Sequence, residues 1–276
     1  MNDSMNQIFE LARAGKLKEA AAQICQKVDR NEDLENMNIA LAHILLLAGD
    51  WAYMNRLLPK DTNFFMTSGF LNSIGMGRPI NNLDQPVPWF TYPAIDFLDG
   101  IVQREWSVFE WGSGNSTLWW ASRVESVTAV EDDATWFEEV TKQMPENAKV
   151  LKREGPEYYS AISEFEGSTF DAIIVDGSSR NDCARFAVSH LKENGILIFD
   201  NSDDGRYEES SDFLKDMGFL RIDFWGLIPS YLYKNCTSIY FKDPQILGNY
   251  KHPSKHQSSV GMSCFQAMGK NKSTPS

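Results

Sequence analysis

From Ser107 to Asp200 the chain repeats one pattern: a short β-branched or aromatic run, a polar turn, then a stretch with apolar residues at helical spacing. The runs are "SVFEW", "SVTAVE", "AKVLKR", "FDAIIVD" and "GILIFD". Between them lie a helix from about Ser116, "ATWFEEVTKQM", a short helix near "EYYSAI", and "RNDCARFAVSHLK". Strands joined by helical crossovers lie parallel, and the crossovers cover both faces of the sheet. The pattern therefore predicts an α/β fold with a doubly wound sheet. After the helix "YEESSDFLKDM", the runs "FLRIDFWG" and "CTSIYFKD" follow with no helix between them. They are expected to pair antiparallel, which completes a mostly parallel seven-stranded sheet.

The flanks read differently. Residues 1–60 carry helical patterns throughout: Ile8, Leu11, Leu17, Ala20, Ala21 and Ile24 mark apolar faces on either side of Gly15, and "MNIALAHILLLAGDWAYMNRLL" breaks at Gly49. The interval from Gly15 to Gly49 is 34 residues, which is the tetratricopeptide period. "ARAGKLKEAA" resembles the turn and second helix of such a repeat, although Met54 stands where the first copy has Ala20. Two readings follow, a helical cap on the main domain or a module that docks a protein partner. Residues 61–92 are rich in Gly, Pro and Asn and read as a linker in which "PWFTYP" either closes over a ligand as a lid or ties linker to sheet. The main domain is expected at 93–244. The remainder, 245–276, reads as a polar tail, disordered or loosely docked, with His252 and His256 in it.

The 42% hydrophobic content suits a packed core. "IALAHILLLA" is ten residues long and contains His43, too short to cross a bilayer. The start "MNDSMNQ" lacks the basic and apolar regions of a secretory signal, and a cytoplasmic protein is expected. Cys25, Cys183, Cys236 and Cys264 show no paired spacing for a metal and read as reduced thiols. The net charge of −12 becomes −16 without the tail, which holds four lysines and no acid. A body so acidic repels phosphate backbones, so the expected partner is a small molecule or a protein and not nucleic acid.

The chemistry concentrates in "FEWGSGNSTLWW", residues 109–120. Gly112 and Gly114, with Ser113 between them, form a strand-to-helix turn where the backbone can approach a ligand and a helix start offers free N–H groups. Thr117 stands where a dinucleotide fingerprint has its third glycine, and Glu110 would lie beside a pyrophosphate, so NAD is disfavoured. Glu131, twenty-one residues past Glu110, ends the second strand, where a carboxylate can bind both hydroxyls of an adenosine ribose. Asp132 shares that turn, and Glu154 after the third strand is placed to accept from an adenine amino group. The expected ligand is an adenosine without phosphates.

These residues resemble the class I S-adenosylmethionine-dependent methyltransferases over roughly Pro88 to Asp243. "EWGSGNST" looks like their first motif, Glu131 matches the acid ending their second strand, and the antiparallel pair matches their sheet ending. The resemblance implies S-adenosylmethionine as cofactor, with Gly112 and Gly114 beside its methionine part and Glu131 on the ribose. It implies methyl transfer, with O-methylation of a small molecule as the expectation. The alternative is a non-catalytic adaptor that binds the nucleoside while its helices hold a protein partner.

Strands four and five end in "VDG" and "FDN", placing Asp176, Asp200 and Asn201 on one edge of the sheet. Asp176 or Asp200 is the candidate base for a hydroxyl acceptor. Two carboxylates and an amide oxygen also suit Mg²⁺. The trio is similar to that of metal-dependent O-methyltransferases of the catechol type, except that Ser179 stands where those carry a lysine. Contact with cofactor or substrate without metal, and helix capping, remain open beside it. Arg180, Asp203, Asp204, Arg206 and Tyr207 are substrate-side candidates. One of Trp119 and Trp120 is expected on the sheet and the other at the pocket, and His190 reads as a core or capping residue.

Overall fold

A computed structural model describes residues 3–30, 32, 41, 44, 45, 47–50, 52, 53, 64–248 and 256–263. Most of the second helical pattern, with His43 and Met54, and His252 and Cys264 lie outside the described residues. The chain divides into two compact units, one comprising residues up to 66 together with those from 262 onward, the other Thr67–Gly261. Among the described residues no helix is long and apolar enough to cross a membrane.

In the first unit, α1 (Asp3–Arg13) and α2 (Leu17–Asp29) meet at Gly15. Its φ of +76° is left-handed backbone that glycine adopts freely. The Lys16 N–H closes the turn on the Leu11 carbonyl at 2.9 Å. Ile8, Ala20, Ala21 and Ile24 are buried with Leu41 and Leu45, and the two alanines allow close approach.

The second unit is built on a sheet whose strands are β1 (Ser107–Trp111), β2 (Ser126–Glu131), β3 (Ala148–Lys152), β4 (Phe170–Val175), β5 (Leu191–Asp200), β6 (Leu220–Ile228) and β7 (Tyr231–Phe241). Their spatial order is β3-β2-β1-β4-β5-β7-β6. The first five are parallel, β7 runs antiparallel between β5 and β6, and the chain reverses its direction of winding between β1 and β4. The helices of this unit are α3 (Phe70–Met76) and α4 (Tyr92–Ile101) before the sheet, then α5 (Asn115–Ala121), α6 (Ala134–Thr141), α7 (Pro156–Ser160), α8 (Arg180–Ala187) and α9 (Glu208–Asp216). The doubly wound, mostly parallel seven-stranded architecture is thus as the alternation of runs implied.

Strand residues alternate between two cores, as a period of two requires. Val108, Val127, Ala172, Ile174, Ile196 and Ile198 pack on one face with α4 and α5. Phe109, Trp111, Ile173, Val175, Leu197 and Phe199 pack on the other with α8 and α9. Each of the valine, leucine, isoleucine and phenylalanine side chains among them stabilises the fold by about 1.5–3 kcal/mol when fully buried. Trp119 and Trp120 are both in the first core, at 1% and 0% exposure, so neither reaches a pocket. His190 is buried, its Nδ1 paired with the Phe186 carbonyl at 3.0 Å.

Two features shape the edge where the parallel strands end. Asp200, the last residue of β5, pairs with Thr237, so residues 231–236 of β7 and the end of β6 project past the edge by roughly 20 Å at strand rise. The segment 77–91 is anchored to that projecting hairpin. The Trp89 indole donates to the Pro229 carbonyl at 2.8 Å, and Thr91 Oγ1 donates to the Phe224 carbonyl at 2.9 Å. "PWFTYP" therefore ties the segment to the sheet. Within the region read as a polar tail, the Ser259 N–H donates to Asp99 at 2.6 Å, His256 meets Asp96 at 3.0 Å, and Val260 is buried.

Candidate active site at the carboxyl edge of the sheet

A cleft of about 720 Å³ runs along this edge, within the size range of small-molecule sites. It straddles the reversal point between β1 and β4, where open α/β sheets bind ligands. Gly112, Ser113, Gly114, Glu131, Asp132, Asp176, Asp200 and Asn201 line it, so the topology brings these sequence-expected residues together.

Gly112 has φ +98°, and a Cβ there would lie 3.3 Å from the Asp176 carbonyl oxygen. Gly177 is tighter still: a Cβ would sit 1.8 Å from the Tyr158 hydroxyl and 2.9 Å from the Gly112 nitrogen. The turns after β1 and β4 can touch only because neither carries a side chain there. Sequence reasoning named Gly112 but passed over Gly177, whose signal is its place directly after a strand-ending aspartate.

Glu131 is nearly buried and already held in orientation. Its Oε1 accepts the N–H groups of Asp132 and Asp133 at 3.0 and 2.9 Å, and its Oε2 accepts the Ser113 hydroxyl at 2.7 Å. Asp133 caps α6 by accepting the Trp136 N–H at 2.7 Å, and the Trp136 indole donates to the Ser113 carbonyl at 2.8 Å. The turn, the acid and α6 therefore form one connected unit. Trp136, half exposed, is the tryptophan that lines this end of the cleft, in place of Trp119 or Trp120.

Glu110 does not line the cleft. It lies beneath the turn, at 1% exposure, where its Oε2 accepts the Thr117 hydroxyl at 2.5 Å. That hydroxyl oxygen in turn accepts the Gly114 N–H at 3.0 Å. Burial pushes the Glu110 carboxyl up to about 8, against the hydroxyl hydrogen bonds that favour its charged form. Its place is support of the glycine turn, and Thr117 is there to connect the two. Glu154 is also absent from the lining: its side chain is largely exposed and paired with Lys152.

At the other end, Asp200 is 2% exposed and accepts the Thr237 hydroxyl at 2.6 Å. Burial, and then the nearby Asp176 charge, raise its proton affinity well above that of an ordinary carboxyl. Burial raises Asp176 as well, while Arg180 opposes the rise. Arg180 bridges these strand ends: Nη2 meets Asp176 Oδ1 at 3.1 Å, Nε donates to the Gly177 carbonyl at 3.0 Å, and Nη1 donates to the Asp200 carbonyl. Of the five substrate-side candidates only Arg180 lines the cleft. Asp203 instead accepts the Cys236 N–H at 3.0 Å, and Asp204 pairs with Arg206. The wall beyond Asp200 is aromatic, with Trp89 and Tyr231 in edge contact at 6.2 Å between ring centres.

The magnesium expectation is not supported. Among the described residues no group of three or more His, Cys, Asp or Glu is placed to hold a metal. One oxygen of Asp176 already faces a guanidinium and one of Asp200 a hydroxyl, and the positive charge of Arg180 at this edge opposes a dication.

No family model matches the chain, and no curated protein matches it. Solved structures do. The precorrin-6y C5,15-methyltransferase of Geobacter metallireducens aligns at 12% identity over 55% of this chain and 87% of its own, with a TM-score of 0.46. A spermidine synthase in complex with the transition state analogue AdoDATO aligns at 14% identity over 67% and 73%, with a TM-score of 0.49. An rRNA methylase from Streptococcus thermophilus aligns at 15% identity over 54% and 93%, with a TM-score of 0.42. At such values the likenesses carry nothing about what this chain binds or transforms.

Proposed function

We propose that the protein is an S-adenosylmethionine-dependent methyltransferase that acts on a hydroxyl group of a small molecule. The observation that supports this most is the pre-oriented Glu131 carboxylate beside the Gly112–Gly114 turn, in a cleft at the reversal point of the sheet. The cofactor fits the residues present: the side-chain-free contact of Gly112 with Gly177 leaves room for close approach, and Glu131 Oε2 keeps one acceptor site beyond its present partner, with displacement of the Ser113 hydroxyl freeing a second for a ribose diol. Asp132 and Trp136 line the same end and would meet the base. When bound, the cofactor supplies a methyl group made electrophilic by its sulfonium.

What remains for the protein is alignment and proton removal. The aromatic wall of Trp89 and Tyr231 would position the acceptor, and Asp200, whose burial strengthens its hold on a proton, would take the hydroxyl proton as the acceptor oxygen attacks. Arg180 keeps Asp176 and the end of β5 in register. On the tetratricopeptide resemblance of its sequence, the helical pair α1–α2 would hold a protein partner. The defining experiment is incubation with methyl-labelled S-adenosylmethionine and a metabolite extract, followed by identification of the labelled product. Label on a hydroxyl oxygen supports the reading, and absence of both label transfer and cofactor binding overturns it.

A further inference from the structure

The Arg180 guanidinium stands where the sequence suggested a dication. It is only 11% exposed and is fixed on three sides, by the Gly177 carbonyl at 3.0 Å, by the Asp176 carbonyl and carboxylate at 3.2 and 3.1 Å, and by the Asp200 carbonyl. The Tyr207 ring lies 5.5 Å from its central carbon. A planar donor fork meets carboxylate and carbonyl oxygens at fixed geometry, and it remains charged at every accessible pH. Mg²⁺ on this edge would need the Asp176 carboxylate that the guanidinium already meets, with near-octahedral geometry and retained waters, and it would have to approach a resident positive charge inside a buried site. Thr237 occupies Asp200 at 2.6 Å from the far side.

We propose that Arg180 is a built-in substitute for a divalent cation: it joins the ends of β4 and β5, holds Asp176 and Asp200 in position, and excludes metal from the Asp176–Asp200–Asn201 edge. Arg180 is thus a positioning residue, and the cleft works without a divalent ion. The exclusion of metal stands on the geometry alone, whereas the role of the positioned carboxylates rests on the methyltransferase reading.

The test uses Mn²⁺ alone as probe, titrated into the full chain and followed by the loss of the free-ion paramagnetic resonance signal. Wild type and Arg180→Lys, both retaining a cation, should leave Mn²⁺ free. Arg180→Ala should bind one Mn²⁺ at least about tenfold more tightly than wild type, and Arg180→Ala/Asp200→Asn should lose that gain. A merely structural arginine would yield no such gain. Circular dichroism and S-adenosylmethionine affinity are measured on every variant. Wild-type Mn²⁺ binding that Asp200→Asn abolishes would overturn the proposal, as would a folded Arg180→Ala protein with no increase in Mn²⁺ affinity. Absence of cofactor binding with the Mn²⁺ pattern intact would defeat the functional reading and leave the Arg180 assignment standing.

Discussion

The two ends of the cleft are made differently. At the β2 end, a glycine turn and the acid that follows one strand later are locked by backbone N–H groups and short hydroxyl bonds, so recognition is prepared within a segment of about thirty residues. At the β5 end, Asp176 and Asp200 come from the ends of β4 and β5, Arg180 from the start of α8 and Thr237 from the middle of β7, and Trp89 and Tyr231 from still more distant segments. On the proposed reading, one end binds with pre-set backbone geometry. The other, on the same reading, does chemistry with buried charge whose proton affinity depends on its neighbours. Variants that damage one end and spare the other test that division.

The largest effect is expected at Gly177, where the two turns touch. Gly177→Ala places a methyl 1.8 Å from the Tyr158 hydroxyl and 2.9 Å from the Gly112 nitrogen. Overpacking of this kind costs about 1–3 kcal/mol, so S-adenosylmethionine affinity should fall up to about 100-fold, with a lower melting temperature. Adding Tyr158→Phe should restore part of both, and calorimetry showing wild-type affinity in the single variant would remove the glycine contact from the binding end. Next comes Asp200→Asn, which should slow methyl transfer by about 100-fold while cofactor affinity and melting temperature hold. An equal loss in binding and rate would erase the distinction between the ends.

How much of this was legible in the sequence follows the same division. The strand–turn–helix around Gly112 and the acid at Glu131 are local, and apolar periodicity with glycine spacing located them. Missed or misplaced residues depend on what the fold brings alongside. Trp119 and Trp120 lie on an α5 face that packs wholly into the core, while Trp136 reaches the pocket because Asp133 caps α6 beside the turn. Glu154 finds Lys152 two residues away and turns outward. The Asp176–Asp200–Asn201 edge suggested magnesium because residue type alone does not reveal that Arg180, four positions past Asp176, folds back over it. The projecting β6–β7 hairpin was expected as an antiparallel pair, but its length past the edge is set by the register of Asp200 with Thr237.

The smallest effect concerns the support beneath the turn. In the fold, burial raises the Glu110 carboxyl from 4.5 to about 8, so the native state favours its protonated form. Its contribution to stability is present below pH 4.5 and is lost as the pH rises through about 8. Glu110→Gln, an uncharged analogue of that protonated form, should match wild type below pH 4.5 and flatten the fall in melting temperature above it, so that the variant is the more stable of the two near neutrality. The raised Asp176 and Asp200 act with the same sign, so a residual slope should persist. An unaltered slope in Glu110→Gln would mean that the buried acid is not held neutral.

The central claim is that Glu131 grips a ribose diol. Its most direct test is a calorimetric cycle in which wild type and Glu131→Ala are each titrated with S-adenosylhomocysteine and with its 2′-deoxy analogue. Wild type should bind the deoxy compound about tenfold more weakly or worse, the cost of a hydrogen bond to a charged group, and Glu131→Ala should bind both compounds weakly and alike. Equal affinity of wild type for the two ligands, or undiminished binding of S-adenosylhomocysteine by Glu131→Ala, would contradict it.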